Sequence, residues 1–137
     1  LRLFVDTSVW YAFLDEDDGS HSAAVGVLRT DADLALSDHV LVETCLLAAA
    51  RLGRGVANRF WDRVMAGAAD LHFVTMADLE RATQVRRSFP DQGFSLVDCT
   101  SFVVMERLRL QRVASFDDDF ALYRFGPDRR QAFEVIR

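Results

Sequence analysis

Four acidic residues stand out by what surrounds them. Asp6 ends the apolar run Leu3-Phe4-Val5, and Glu43 interrupts the apolar stretch 40–47. Asp98 follows Ser95-Leu96-Val97, and Asp117 opens the run Asp117-Asp118-Asp119 after Val113-Ala114. Carboxylates brought together repel: two charges ~5 Å apart cost roughly 3 kcal/mol at an effective dielectric of 20. A group of four is therefore partly protonated or holds a cation. All-oxygen ligands favour magnesium or manganese over zinc. Such an ion, with open positions, can orient a water as nucleophile and neutralise charge on a phosphodiester.

Short apolar strands alternating with helices are the elements that would gather these residues. Residues 1–5 read as a buried strand, and Asp6-Thr7-Ser8 starts a helix through about 14. Residues 15–20 are a loop, 21–30 a helix and 34–36 a second strand. Ser37-Asp38 can cap a helix over 39–52. Gly53 and Gly55 then break the chain. Val56, Phe60 and Val64 form one i, i+4 row, with Ala57, Trp61 and Met65 beside it, so an amphipathic helix follows. A third strand spans 71–74. Leu79, Ala82 and Val85 mark a helix before Pro90. Ser95 opens a strongly apolar helix to about 110, and 112–115 is a fourth strand. Residues 117–119 start a short helical turn, and 132–136 form a final strand.

This alternation predicts one α/β domain over 1–137, a three-layer α/β/α sandwich with a central, mostly parallel sheet. In such folds, strand C-termini and the N-termini of the next helices share one edge, and ligands collect where strand order reverses. Asp6, Glu43, Asp98 and Asp117 all fall at that edge. If strands one and four are neighbours, Asp6 and Asp117 sit side by side.

The 137 residues include 21 Asp and Glu against 16 Arg and no lysine, for a net charge of −5. A general electrostatic attraction to polyanions is thereby excluded, and any nucleic acid must be held locally, by arginines or bound cations. The longest apolar stretch is too short and too polar to cross a membrane. The opening Leu-Arg-Leu-Phe-Val-Asp lacks the features of a signal peptide. Cys45 and Cys99 fit reduced thiols in a cytoplasmic protein.

Each acid also has a plainer explanation. Asp6 can cap the first helix, and Asp98 can support the helix start with Ser95. Asp117, Asp118 and Asp119 suit a helix N-terminus. Glu43 is harder to explain, because an unpaired carboxylate in an apolar run is expensive. The acidic loop 15–18 reads as solvated charge. Trp10, Tyr11, Phe13 and Trp61 read as core or dimer contacts.

The segments Leu3-Phe4-Val5-Asp6-Thr7-Ser8, Val42-Glu43-Thr44, Phe94-Ser95-Leu96-Val97-Asp98-Cys99-Thr100-Ser101-Phe102 and Ala114-Ser115-Phe116-Asp117-Asp118-Asp119-Phe120 resemble, in order and spacing, the PIN-domain ribonucleases. The likeness is greatest to the VapC-type toxins of bacterial toxin–antitoxin pairs. This resemblance implies a PIN-like α/β/α fold with Asp6, Glu43, Asp98 and Asp117 as the acidic pocket. Asp6 and Asp98 would be the leading metal ligands. Ser8 would assist by hydrogen bonding, and Asp119 is a secondary candidate. It also implies Mg²⁺ or Mn²⁺ as cofactor and RNA as substrate. A VapB-type antitoxin would be the partner, its tail covering the pocket and its other domain binding operator DNA. A homodimer in the cytoplasm, with no membrane contact, completes the expectation. Arg86, Arg87, Arg107 and Arg112 are candidates to hold RNA phosphates, with plain helix-surface solubility an equal account of each.

Three other readings stay open. A PIN ribonuclease of RNA processing would carry the same residues. A non-catalytic PIN-like binding module would tolerate loss of pocket acids, yet all four are present. A Mg²⁺-dependent phosphotransfer or phosphatase domain would want a lysine by the phosphoryl group, and this chain has none.

Overall fold

The computed structural model describes residues 2–30 and 32–137. Leu1, the first residue of the expected opening strand, lies outside them. The order is β1 (Arg2–Val5), α1 (Thr7–Leu14), α2 (His21–Leu28), β2 (Asp33–Ser37), α3 (Asp38–Leu52), α4 (Arg54–Met65), β3 (Asp70–His72), α5 (Met76–Ser88), α6 (Leu96–Leu108), β4 (Arg112–Ala114), α7 (Asp119–Leu122) and β5 (Glu134–Ile136). The strands form one sheet in the order β3-β2-β1-β4-β5, with every pairing parallel. Right-handed crossovers place α1 to α4 on one face and α5 to α7 on the other, which makes the α/β/α sandwich.

The chain runs outward from β1 through β2 to β3, then returns to place β4 on the other side of β1. Strand order therefore reverses between β1 and β4, the position where parallel sheets bind ligands. Phe4 and Val5 pair with Val113 and Ala114, and all four are fully buried. On the far face, α6 buries every residue from Asp98 to Met105. Its Phe102 stacks on Tyr123 with ring centroids 4.2 Å apart. Among the described residues no helix is long and apolar enough to cross a membrane.

Several boundaries differ from the sequence reading, each for a local reason. The third strand stops at His72 instead of Val74, because the Val74 amide donates to the Asp38 carboxylate at 2.9 Å rather than to a neighbouring strand. Only Gly53 breaks the α3–α4 junction. It adopts φ 100°, a left-handed conformation that costs glycine little, whereas Gly55 lies inside α4. In α4 the buried positions are Ala57, Phe60 and Val64; Trp61 and Met65 face solvent. In α5, Leu79 is exposed, and Asp78 is buried beside Ala82 and Val85.

Candidate active site

Strand β1 delivers Asp6 to the β1–β4 boundary, where its amide donates to the Ala114 carbonyl at 2.9 Å. Asp6 occupies the N-cap position of α1 with extended backbone, yet its carboxylate caps nothing. It is instead 2% exposed, and its Oδ2 accepts hydroxyls from Ser8 and Ser115, both at 2.9 Å. The same two hydroxyls fix the loop after β4. Ser8 Oγ accepts the Phe116 amide at 3.0 Å, and Ser115 Oγ accepts the Asp117 amide at 3.1 Å. The simple capping account of Asp6 therefore fails, and Asp117 is held at the same edge.

Asp98 serves two purposes. Its Oδ2 accepts the Ser95 amide at 3.0 Å while Ser95 Oγ accepts the Asp98 amide at 3.0 Å, a complete capping box for α6. Its carboxyl also meets the acids arriving from the other side of the sheet edge.

The electrostatics show which acids meet. Burial raises the Asp6 carboxyl to about 6, against the lowering effect of the two serine hydroxyls, and the Asp117 charge raises it further. Asp98 is raised to about 7, first by burial, then by its hydrogen bond to Asp119 and by the charges of Asp6 and Asp119. Asp117 is also raised, by burial and then by the Asp119 charge. Asp6, Asp98, Asp117 and Asp119 thus form one interacting group, with Asp119 set against Asp98 by the start of α7.

Glu43 stands to one side of this group. It lies in the second turn of α3, half-buried, and lines a cavity of about 320 Å³ with Thr7, Ser8, Tyr11, Arg51, Phe116 and Asp117. Ser8 and Asp117 connect that cavity to the aspartates. Two expected phosphate contacts have other partners. Arg107 grips Asp78 through Nε and Nη2 and donates to the Phe73 carbonyl, and Arg112 pairs with Glu134 at 3.5 Å. Arg86 and Arg87 are exposed on α5. Sequence reasoning gave no role to Ser115. The available signal was its position, a small polar residue leaving a buried strand beside the one that ends in Asp6.

The donors are all oxygens, which suits a hard divalent cation. Their carboxyls are raised first by burial and then by one another's charge, and a cation would offset both. Among the described residues no three His, Cys, Asp or Glu side chains converge closely enough to enclose an ion by themselves. Magnesium rarely needs such a cage, since one or two carboxylates suffice when waters and substrate oxygens complete its shell. Asp6 and Asp98, with Asp117 and Asp119 beside them, are the residues that would hold it.

Comparison with known proteins identifies the family and the fold. A family model described as PIN domain matches residues 3–126. The 23S rRNA-specific endonuclease VapC20 of Mycobacterium tuberculosis is 33% identical over 121 residues, which cover 87% of this chain and 92% of that protein. Ribonuclease VapC26 of the same organism is 26% identical over 116 residues, 84% of this chain and 86% of the relative. The crystal structure of Mycobacterium tuberculosis VapC20, described as a Sarcin-Ricin loop cleaving toxin, matches with a TM-score of 0.82 at 30% identity. It covers 87% of this chain and 92% of its own. VapBC2 from Rickettsia felis, bound to a promoter DNA fragment, shares the fold at a TM-score of 0.64 and 10% identity, over 86% of this chain and 89% of its own.

Proposed function

The chain belongs to the PIN-domain family, among the VapC-type endoribonucleases, and on that premise we propose that it is a Mg²⁺- or Mn²⁺-dependent RNA hydrolase acting as the toxin of a type II toxin–antitoxin pair. The observation that carries the reading is the group of Asp6, Asp98, Asp117 and Asp119 at the β1–β4 switch point, with carboxyls raised by burial and by one another. A divalent ion bound there would activate water and neutralise charge on the scissile phosphodiester.

The protein's own residues prepare the site for this. Ser8 and Ser115 orient the Asp6 carboxylate and favour its ionised form. The Ser95 capping box fixes one Asp98 oxygen and so the direction of the other. Glu43, which lines the adjoining cavity with Asp117, would face the substrate and complete the set of acids. No side chain is needed as nucleophile.

The relative VapC20 is named for 23S rRNA and for cleaving the Sarcin-Ricin loop. That loop is the first RNA to test. The partner we propose is a VapB-type antitoxin with a basic tail residue for the acidic pocket and contact with operator DNA through its own domain; the toxin itself would be a homodimer. The experiment is RNA cleavage with and without Mg²⁺ or Mn²⁺ by wild type, Asp6→Ala and Asp98→Ala. Metal-dependent cleavage confined to wild type supports the reading, and equal cleavage by all three overturns it.

A further inference from the structure

We propose that the cavity between α5 and the segment after α7 is a phosphate site, in which Arg124 and Arg129 hold the RNA backbone a few nucleotides from the bond being cut. This rests on the endoribonuclease reading and adds to it the residues that position the strand.

Arg81, Gln84 and Ser88 line the cavity from one face of α5, and Arg124, Phe125 and Arg129 line it from the other side. Its charged lining is three arginines and Glu106, so it is net positive in a chain that carries −5. Glu106 is already engaged: it accepts the Tyr123 hydroxyl at 2.6 Å and pairs with Arg81 at 3.4 Å. Arg124 and Arg129 are held by neutral partners instead. Arg124 Nη1 donates to the Ala121 and Tyr123 carbonyls. Arg129 Nη2 donates to Ser88 Oγ at 3.2 Å, and its guanidinium lies 5.9 Å from the Phe89 ring centroid. Among the described residues no carboxylate lies within ion-pair distance of either arginine. Both guanidinium groups are thus oriented without being neutralised. Each keeps Nε and one Nη to donate, a fork that matches a phosphate.

The cavity is tied to the acids through two elements. Phe89 on its wall meets Phe94 with ring centroids 5.7 Å apart, and Phe94 directly precedes the Ser95 capping box that holds Asp98. Helix α7 begins at Asp119 and ends two residues before Arg124, a run of about 6 Å at the helical rise. Arg86, near the same end of α5, lies close enough to Cys99 to act on it. Burial and the Asp98 charge raise that thiol, and the Arg86 charge opposes them. Arg129 also holds φ 53°, a left-handed conformation that costs an arginine more than a glycine. Strain of this kind gathers at functional sites. The volume of about 190 Å³ is below that of ordinary small-molecule sites and suits a phosphate with part of its sugar. A negatively charged protein thus acquires a local grip on a polyanion, outside the acidic pocket.

The test measures binding of fluorescein-labelled, mixed-sequence single-stranded RNA to Asp98→Asn protein, alone and with Arg129→Ala, Arg129→Lys or the pair Arg124→Ala and Arg129→Ala added. Anisotropy is followed between about 50 and 200 mM salt. Arg129→Ala should weaken binding about tenfold and shrink the salt slope by about 0.7, the value for one phosphate contact on a single strand. Arg129→Lys should keep the slope, and the double change should remove about twice as much of it. With Asp98 restored, Arg129→Ala should raise KM for the RNA and leave kcat and the melting temperature nearly unchanged, because the residue binds the strand away from the reacting atoms. A slope or a KM unchanged by Arg129→Ala overturns the site. If wild type still cleaves RNA with Mg²⁺ in that case, the site falls alone. If wild type neither binds nor cleaves RNA, the endoribonuclease reading falls with it.

Discussion

Ser115 donates its hydroxyl to Asp6 Oδ2 at 2.9 Å, joining residues 109 positions apart in sequence. The bond exists because β1 and β4 are neighbours in register, so the residues that leave their C-terminal ends meet. It favours the ionised form of a carboxyl that burial otherwise protonates. The same hydroxyl accepts the Asp117 amide, so one small side chain orients two acids.

Removing that hydroxyl should therefore affect chemistry more than folding. Ser115→Ala is expected to cost about 1 kcal/mol of stability, the usual worth of a hydrogen bond. It should also move the acidic limb of the pH–rate profile to higher pH, because Asp6 becomes harder to ionise. Thermal melts and a kcat/KM profile check both. A uniform fall in rate with the limb unmoved would count against the orienting role.

The metal-free protein should lose part of its stability as pH rises. An unfolded Asp titrates near 3.9, whereas Asp6 and Asp98 titrate at about 6 and about 7 in the fold. Between those values the folded chain holds the extra protons, so stability falls with rising pH. The contribution of these groups is complete below about pH 4 and gone above about pH 7. Asp98→Asn keeps an oxygen for the Ser95 amide and removes the charge. Its melting temperature should match wild type near pH 4.5 and exceed it near pH 7.5, by ~2–4 kcal/mol of stability. Added Mg²⁺ should raise wild type toward the variant and leave the variant unchanged.

Asp119 offers a separate test of the acidic group. Its hydrogen bond and its charge both raise Asp98. Asp119→Asn should return Asp98 toward the ordinary carboxylate range, and the acidic limb of kcat/KM should move to lower pH. An unmoved limb would place Asp119 outside the working site.

How legible these residues were depended on how far their partners lay along the chain. Asp6 and Asp98 could be read because each sits at a local boundary, one ending an apolar run and the other opening a helix behind Ser95. The parallel sheet followed from alternation, and with it the edge they share. The balance among Asp117, Asp118 and Asp119 could not be read, since it depends on where α7 begins, and α7 begins at Asp119. Glu43 stands out as an interruption of an apolar run, but its place beside the aspartates, on the adjoining cavity, depends on how α3 packs. Arg107 was misleading for a complementary reason. Its partner Asp78 is 29 positions away, and sequence alone shows only a charge on a helix.

Arg107 supplies a final test, of a residue committed to the fold. Its guanidinium bonds both Asp78 oxygens and the Phe73 carbonyl, tying the C-terminal end of α6 to the start of α5. Asp78 is 2% exposed and held below its ordinary range; burial works against that lowering, and the Arg107 and Thr75 hydrogen bonds outweigh it. Arg107→Met would leave that carboxylate buried without its cation. Complete burial of such a pair would make the loss 3–5 kcal/mol. The Arg107 side chain is 39% exposed, so water replaces part of the contact and about 2 kcal/mol is expected. The melting temperature should fall by roughly 5–10 °C. The salt slope of RNA binding should stay at the wild-type value, because this arginine is committed to the fold. A reduced slope at an unchanged melting temperature would instead assign this arginine to RNA.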